Sequence, residues 1–234
     1  MVMSKGRVLL FDIDGTLLST DGAGRRAMER AFERVSGRGG ALEGISFGGR
    51  TDRWIARVGL AAVGIEAGEE DIDGLLEVYL GLLGGELGED RECWVHPGVE
   101  EVLSAVTGRA GVAVGLATGN VRRGAMMKLD RVGLGGRFSF GGFGCDDEVR
   151  SRILAAGVAR GAAALGLSGS GCEVIVIGDT PMDVEAAHAV GGICLAVATG
   201  GYGAEALRGA GADYVVEDLR DPCVLPVLLG GAGV

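Results

Sequence analysis

The spacing of apolar positions divides the chain into stretches of different kinds. A short apolar run, Val8-Leu9-Leu10-Phe11, lies between Gly6 and Gly15 and predicts a buried strand whose end carries Asp12 and Asp14 into a glycine turn. From Arg25 to about Trp94 the spacing is helical instead. Ala27, Ala31, Phe32 and Val35 recur on one face of a first helix. Trp54, Ile55 and Val58 mark a second, capped by Thr51 or Asp52 and running to about Val63. Ile72, Leu75, Leu76, Tyr79, Leu80 and Leu83 mark a third over Asp71 to Leu87, and no strand pattern interrupts these helices. His96-Pro97-Gly98 then forms a boundary, followed by a helix carrying Val99, Val102, Leu103 and Val106.

Beyond that point the pattern alternates. Strands are predicted over 112–117, near 138–143, and over 173–177, 193–198 and 214–216, with helices over 121–132, 150–165, 182–190, 204–208 and 222–229. Such alternation predicts an α/β fold, a Rossmann-like parallel sheet flanked by helices, in which ligands bind beyond the carboxyl ends of the strands. The opening strand belongs to the same sheet. We therefore expect an α/β core domain formed by residues 1–18 and 96–234, with an inserted α-helical cap domain, residues 19–95, set over the sheet edge as a lid.

Composition narrows the partners. The 234 residues are 47% hydrophobic, enough for a sizeable core. Lys and Arg number 22 against 32 Asp and Glu, a formal charge of −10, with a pI near 4.8. A broad basic footprint for nucleic acid is therefore excluded, and an anionic substrate must be met by local groups. The five cysteines, Cys93, Cys145, Cys172, Cys194 and Cys223, are scattered and contain no CxxC, so they predict reduced, mostly buried thiols rather than a zinc site or disulfide framework. No basic-then-apolar leader opens the chain and no apolar run approaches the ~18 residues that cross a bilayer. The expectation is a cytoplasmic protein, monomer or homodimer, with neither membrane nor nucleic acid as partner.

Chemistry collects at the strand ends. Asp12 and Asp14 flank a turn that can aim one side chain and a neighbouring backbone carbonyl together, a seat for a divalent cation. Thr118-Gly119-Asn120 places a hydroxyl and backbone amides just before a helix, suited to phosphate oxygens, although such a turn also serves as an ordinary helix cap. Gly178-Asp179-Thr180-Pro181-Met182-Asp183 ends an apolar strand on one carboxylate and adds a second a helical turn later; taken alone, Asp179 would cap the helix and Asp183 would favour its dipole. Arg150 follows the acidic run Asp146-Asp147-Glu148, where it and Arg152 are both ordinary surface ion-pair candidates.

In this order and at these strand ends, the groups resemble the haloacid dehalogenase-like hydrolase superfamily, in its phosphoglycolate phosphatase and β-phosphoglucomutase-like branch. Asp12-Ile13-Asp14-Gly15-Thr16-Leu17 is similar to the first motif, Thr118 to the second, Arg150 to the basic third, and Gly178 to Asp183 to the fourth. Many members carry Lys followed by Pro at the third place; this chain has Arg150-Ser151-Arg152, which leaves Arg152 as the alternative. The resemblance implies that Asp12 attacks phosphorus and forms an aspartyl-phosphate that water hydrolyses, while Asp14 protonates the leaving alcohol and later activates the water. It implies Mg²⁺ as cofactor, held by Asp12, the Asp14 carbonyl and Asp179, with Asp183 orienting a bound water or Asp179. Thr118, with Gly119 and Asn120, would hold phosphate oxygens, and Arg150 would balance the carboxylates.

The helical insert matches the family's cap, in which Arg50, in Phe47-Gly48-Gly49-Arg50-Thr51-Asp52, could reach a second anionic group on the substrate or simply start a helix. Trp54, Trp94 and Tyr79 read as packing, His96 and His188 as structural, and Thr199-Gly200-Gly201 as a turn that could support the metal loop. The implied function is a Mg²⁺-dependent phosphatase acting on a small phosphorylated metabolite, phosphoglycolate-like. The alternatives are a β-phosphoglucomutase-like mutase, a catalytically silent phosphometabolite-binding protein, and a haloacid dehalogenase. Asp14 disfavours the last, because a departing halide needs no proton.

Overall fold

The computed structural model describes residues 6–88, 92–168 and 171–230, and the remaining parts of the two expected domains lie outside the described residues. The chain opens with β1 (Gly6–Phe11) and, after a tight turn, β2 (Leu18–Ser19). Three helices follow, α1 (Ala23–Ser36), α2 (Asp52–Ala62) and α3 (Glu69–Glu86), and β3 (Trp94–Val95) then pairs antiparallel with β2. Next come α4 (Val99–Val106), β4 (Val112–Ala117), α5 (Arg122–Arg131), β5 (Gly141–Gly142) and α6 (Arg150–Ala164). The chain ends with β6 (Cys172–Gly178), α7 (Pro181–Ala189), β7 (Ile193–Val197), α8 (Ala204–Gly209), β8 (Tyr214–Val216) and α9 (Val224–Leu229).

Six strands pair in parallel in the order β5-β4-β1-β6-β7-β8. Residues 8–11 of β1 are continuous apolar sequence because both faces of the strand are covered. Leu9 and Phe11 pack in one core layer with Val102 and Leu103 of α4, Leu129 of α5 and Leu228 of α9. Val8 and Leu10 point the other way, against Leu154 of α6, Val184 of α7 and Leu207 of α8. The chain builds outward from β1 on one side and then returns to its other side, so the carboxyl end of β1 lies at the point where the strand order reverses.

The helices between β2 and β3 have a core of their own. Phe32 of α1, Ile55 and Leu60 of α2, and Ile72, Leu75, Tyr79 and Leu83 of α3 are all buried in it. Each side chain of this size contributes roughly 1.5–3 kcal/mol on burial. Gly59 is required at the α2 crossing, because an added Cβ would strike the Phe32 ring.

Four local expectations change. The two-residue pairing of Leu18 with Val95 and Ser19 with Trp94 closes the base of the insert, and is too short to leave a periodic signal. The strand near 138–143 contracts to Gly141–Gly142, whose backbone lies so close to β4 and α6 that a Cβ on Gly142 would meet the Ile153 carbonyl. Of the cysteines only Cys194 is buried, and Cys145 is exposed. Val35, placed on the apolar face of the first helix by its spacing, is 47% exposed. Among the described residues no helix is long and apolar enough to cross a membrane.

Candidate active site

Register brings the chemical groups together. Phe11 of β1 lies level with Leu116 of β4 and Ile177 of β6, so these three central strands reach their carboxyl ends at the same height. Asp12, Thr118 and Asp179 leave the sheet there, all three buried. After Asp12 the chain turns so tightly that Leu17 N–H donates to the Ile13 carbonyl at 2.9 Å and Gly15 adopts φ +82°. A side chain at Gly15 would collide with the Asp179 carboxylate. Two hydroxyls fasten this turn: Thr16 Oγ1 donates to Asp179 Oδ1 at 3.1 Å, and Thr199 Oγ1 donates to the Gly15 carbonyl at 2.6 Å.

At the amino end of α6, Arg150 reaches across to Asp12 Oδ2 at 2.8 Å and donates through Nε to Asp183 Oδ1 at 2.9 Å. Arg152, two residues on, has a side chain 72% exposed that pairs with Asp147. The structure thus puts Arg150 among the carboxylates and Arg152 on the surface. Asp183 uses its other oxygen to accept from the Thr180 N–H at 3.0 Å and the Thr180 hydroxyl at 2.8 Å. The cap of α7 is therefore Thr180, not Asp179, and Asp179 is free to face the site.

Carboxylate oxygens of Asp12, Asp179 and Asp183 lie within 4.8 Å of one another. Burial, reinforced by Asp183 and Asp14 and opposed by Arg150, pushes Asp12 up to about 6. Burial and the neighbouring Asp183 and Asp12 push Asp179 well above the usual carboxylate range. Burial alone would lower Arg150, yet Asp183 and Asp12 outweigh it and hold the guanidinium more firmly protonated than usual. Three clustered carboxylates thus face one guanidinium, which pairs with only two of them, and this all-oxygen donor set with its excess negative charge fits a hard divalent cation.

Thr118 Oγ1 accepts from the Asn120 N–H at 3.3 Å and from Asn120 Nδ2 at 2.8 Å, which leaves its own proton to donate elsewhere. The Asn120 side chain is committed to neighbours rather than to the cavity: Nδ2 also donates to Asp14 Oδ2 at 2.8 Å. Lys128, on α5, donates to the same Asp14 oxygen at 2.6 Å and to Asn120 Oδ1 at 2.7 Å. The spacing of α5 gave Lys128 no role. Its one clue is position, one helical turn after Gly124 and beside the buried Ala125 and Leu129.

The helical insert covers these groups and encloses a cavity of about 340 Å³, lined by Asp12, Asp14, Thr118 and Asp179 below and by Arg50, Asp52 and Tyr79 above. Asp52 fastens it: its N–H donates to the Gly119 carbonyl at 2.9 Å and its Oδ2 accepts from Val121 N–H at 2.8 Å. Burial pushes Asp52 up to about 6, with Lys128 opposing. Gly119 is obligatory at this joint, since a Cβ would enter the Arg50 carbonyl. Arg57 of α2 adds an ion pair to Glu148 at 2.6 Å. Arg50 stacks 4.3 Å over Trp54 at the cavity wall, and Thr51 caps α2 by accepting from Trp54 N–H at 3.1 Å. Tyr79 is buried in the insert's core, whereas Trp94 is 42% exposed. His96 is buried outside the cavity lining, and His188 pairs with Asp213 at 3.0 Å on the surface.

Residues 7–191 match the family described as haloacid dehalogenase-like hydrolase. A comparison with curated proteins gives no match. Among solved structures, a predicted phosphoglycolate phosphatase from Haemophilus somnus is 18% identical, with a TM-score of 0.67, over 94% of this chain and 97% of that one. A predicted phosphatase from Clostridium acetobutylicum is 19% identical, with a TM-score of 0.68, over 97% of this chain and 100% of that one. A protein from Bacteroides vulgatus assigned as a beta-phosphoglucomutase is 22% identical, with a TM-score of 0.69, over 97% of this chain and 89% of that one. At these identities the likeness is one of fold, a six-stranded parallel sheet with a helical insert after its first strand. With the match to its family covering most of its length and both carboxylate motifs assembled at the ends of β1 and β6, the chain belongs to the haloacid dehalogenase-like hydrolases.

Proposed function

We propose that this protein is a Mg²⁺-dependent phosphatase that hydrolyses a small phosphorylated metabolite, phosphoglycolate-like, inside the cavity beneath the helical cap of residues 19–95. The observation that carries the reading is the division of labour at the end of β1. Asp12 is buried against Arg150 at 2.8 Å, whereas the Asp14 side chain is 43% exposed. One carboxylate is held rigidly as a nucleophile and the other meets the leaving group.

Asp12 attacks phosphorus in line with the ester oxygen, forming the Asp12–phosphorus bond as the phosphorus–oxygen ester bond breaks. The departing alkoxide takes its proton from Asp14. Asp14 then removes a proton from the water that attacks the aspartyl-phosphate, restoring both carboxyl groups and releasing phosphate. Thr118 donates its hydroxyl to a phosphate oxygen, assisted by the backbone amide of Gly119. Arg150 offsets charge on Asp12 and the transferring group. Asp12, Asp179 and the Asp14 carbonyl would hold the cation, whose chemistry is to neutralise the phosphoryl oxygens. Asp183, with both oxygens engaged by Arg150 and Thr180, supports the site by fixing those two groups. Arg50 takes a second anionic group of the substrate at the cap side of the cavity. The cavity of about 340 Å³ has room for a small metabolite, which we place in the cytoplasm.

A panel of phosphorylated metabolites assayed for phosphate release, with Mg²⁺ or with chelator, on wild type and Asp12→Asn tests the reading. Release should need both Mg²⁺ and Asp12; equal rates in both proteins, independent of metal, would remove the chemistry. Sugar 1-phosphates isomerised without phosphate release would favour the mutase instead.

A further inference from the structure

The two donors on Asp14 converge on one atom. Lys128 Nζ at 2.6 Å and Asn120 Nδ2 at 2.8 Å both reach Oδ2, and Lys128 is tied back to Asn120 Oδ1 at 2.7 Å, closing a ring of three hydrogen bonds. The Lys128 side chain is only 5% exposed. A buried ammonium is costly unless it is paired, so this lysine is held by purpose-built surroundings. Gly24, at the start of α1, leaves room for it: a Cβ there would lie 3.3 Å from Lys128 Nζ. Asp52 and Tyr79 of the insert line the same part of the cavity.

We propose that Lys128 is a positioning residue for proton transfer: together with Asn120 it grips Oδ2 of Asp14 and so fixes the turn of that carboxyl group, leaving Oδ1 to give its proton to the departing alkoxide. The inference rests on the reading of Asp14 as the acid in the proposed phosphatase reaction. An unclamped Asp14, half-exposed at the cavity wall, would sample several rotamers, and few of them would meet the leaving oxygen. The lysine touches neither phosphorus nor the nucleophile. In the step that breaks the ester, its effect should therefore appear only where the leaving group needs a proton.

That selectivity supplies the test. Rates of kcat/KM, which report events up to formation of the aspartyl-phosphate, are measured for p-nitrophenyl phosphate and phenyl phosphate. The first releases a stable anion; the second releases a more basic phenolate that depends on the acid. Wild type, Lys128→Met, Asp14→Asn and the double variant are compared in Mg²⁺. Lys128→Met should lose at least about tenfold more kcat/KM on phenyl phosphate than on p-nitrophenyl phosphate, and should cost nothing further once Asp14 is already Asn. Lys128→Gln, which keeps a donor without the charge, replaces Lys128→Met if the latter does not fold. Equal losses on both esters in the lysine variant, while Asp14→Asn remains selective, would overturn the positioning role and leave the acid assignment standing. A non-selective Asp14→Asn would overturn the acid assignment and this inference with it.

Discussion

Replacing Arg150 by Met measures what the guanidinium does for the fold. The Arg150 side chain is 9% exposed, and its partners Asp12 and Asp183 are 8% and 1% exposed. Methionine fills much of the same space, so the cavity cost is small, and what remains is a set of buried carboxylates without their shared cation. Breaking a buried pair by removing one member costs about 3–5 kcal/mol, a large part of the ~5–15 kcal/mol that holds a typical domain folded. Arg152→Met should cost less than about 0.5 kcal/mol, because its partner is met at 3.3 Å in solvent. The pH dependence has a definite sign. Burial already raises Asp12 to about 6 and Asp179 above the usual range. A carboxyl whose folded pKa is raised contributes stability below its unfolded value and loses it as pH rises through the folded value. Removing Arg150 raises both groups further, so the deficit of the variant should be smaller at pH 5.5 than at pH 8. Mg²⁺ should return part of the loss at pH 8. Urea unfolding followed by circular dichroism, with EDTA and then with Mg²⁺, reads all three effects. A deficit under about 1 kcal/mol at pH 8, or an equal deficit in Arg152→Met, would refute the assignment of Arg150 as the buried counter-charge.

Two further substitutions probe the joint between insert and core. Asp52→Asn keeps an oxygen for Val121 N–H but removes a carboxyl that burial raises from 3.8 to about 6. The wild-type contribution is therefore lost as pH rises through 6, and the stability of the variant relative to wild type should increase by about 1.4 kcal/mol between pH 5 and pH 8. A gap that stays constant in urea titrations at the two pH values would contradict this. Gly119→Ala drives a methyl group into the Arg50 carbonyl and to 3.0 Å from the Thr51 Cα, which should hold the insert off the core. KM should rise about tenfold, equivalent to about 1.4 kcal/mol, with faster amide exchange in α2, and unchanged values of both would show that closure does not depend on this contact.

The sequence exposed most of this architecture because its two strongest signals coincide: apolar runs that end in carboxylates. β4 and β8 begin and end where the alternation predicts, and Asp12, Asp14 and Asp179 stand at strand ends on the same grounds. What the sequence leaves open or misses depends on contacts distant along the chain. Arg150 and Arg152 sit in one helical turn, and only the packing of α6 beside β1 makes one a buried partner of Asp12 and the other a surface residue. Lys128 looks like one charge among several in Arg122 to Arg131, yet α5 turns it inward, where the missing side chain at Gly24 leaves it room. Asp52 looks like an ordinary acid in the first turn of a helix, since nothing nearby in sequence reveals the Val121 amide it meets. Short pairings such as β2 with β3 carry too few residues for any period to register.

Four consecutive residues after β4 join these functions physically. Thr118 Oγ1 accepts from Asn120 and so keeps its own proton to donate, Gly119 accepts from the Asp52 N–H, Asn120 holds Asp14 and Lys128, and the Val121 N–H binds the Asp52 carboxylate. A shift of this turn therefore moves the Thr118 hydroxyl, the fastening of the insert and the hydrogen bonds on Asp14 together. The turn is braced from behind as well: Thr118 N–H donates to the Gly142 carbonyl at 3.1 Å, and Gly144 N–H donates to the Asn120 carbonyl at 2.8 Å. The two-residue strand β5 thus has a use that its length conceals. By pairing with the end of β4 it braces the turn that carries both the backbone contact to the insert and the hydrogen bond to Asp14.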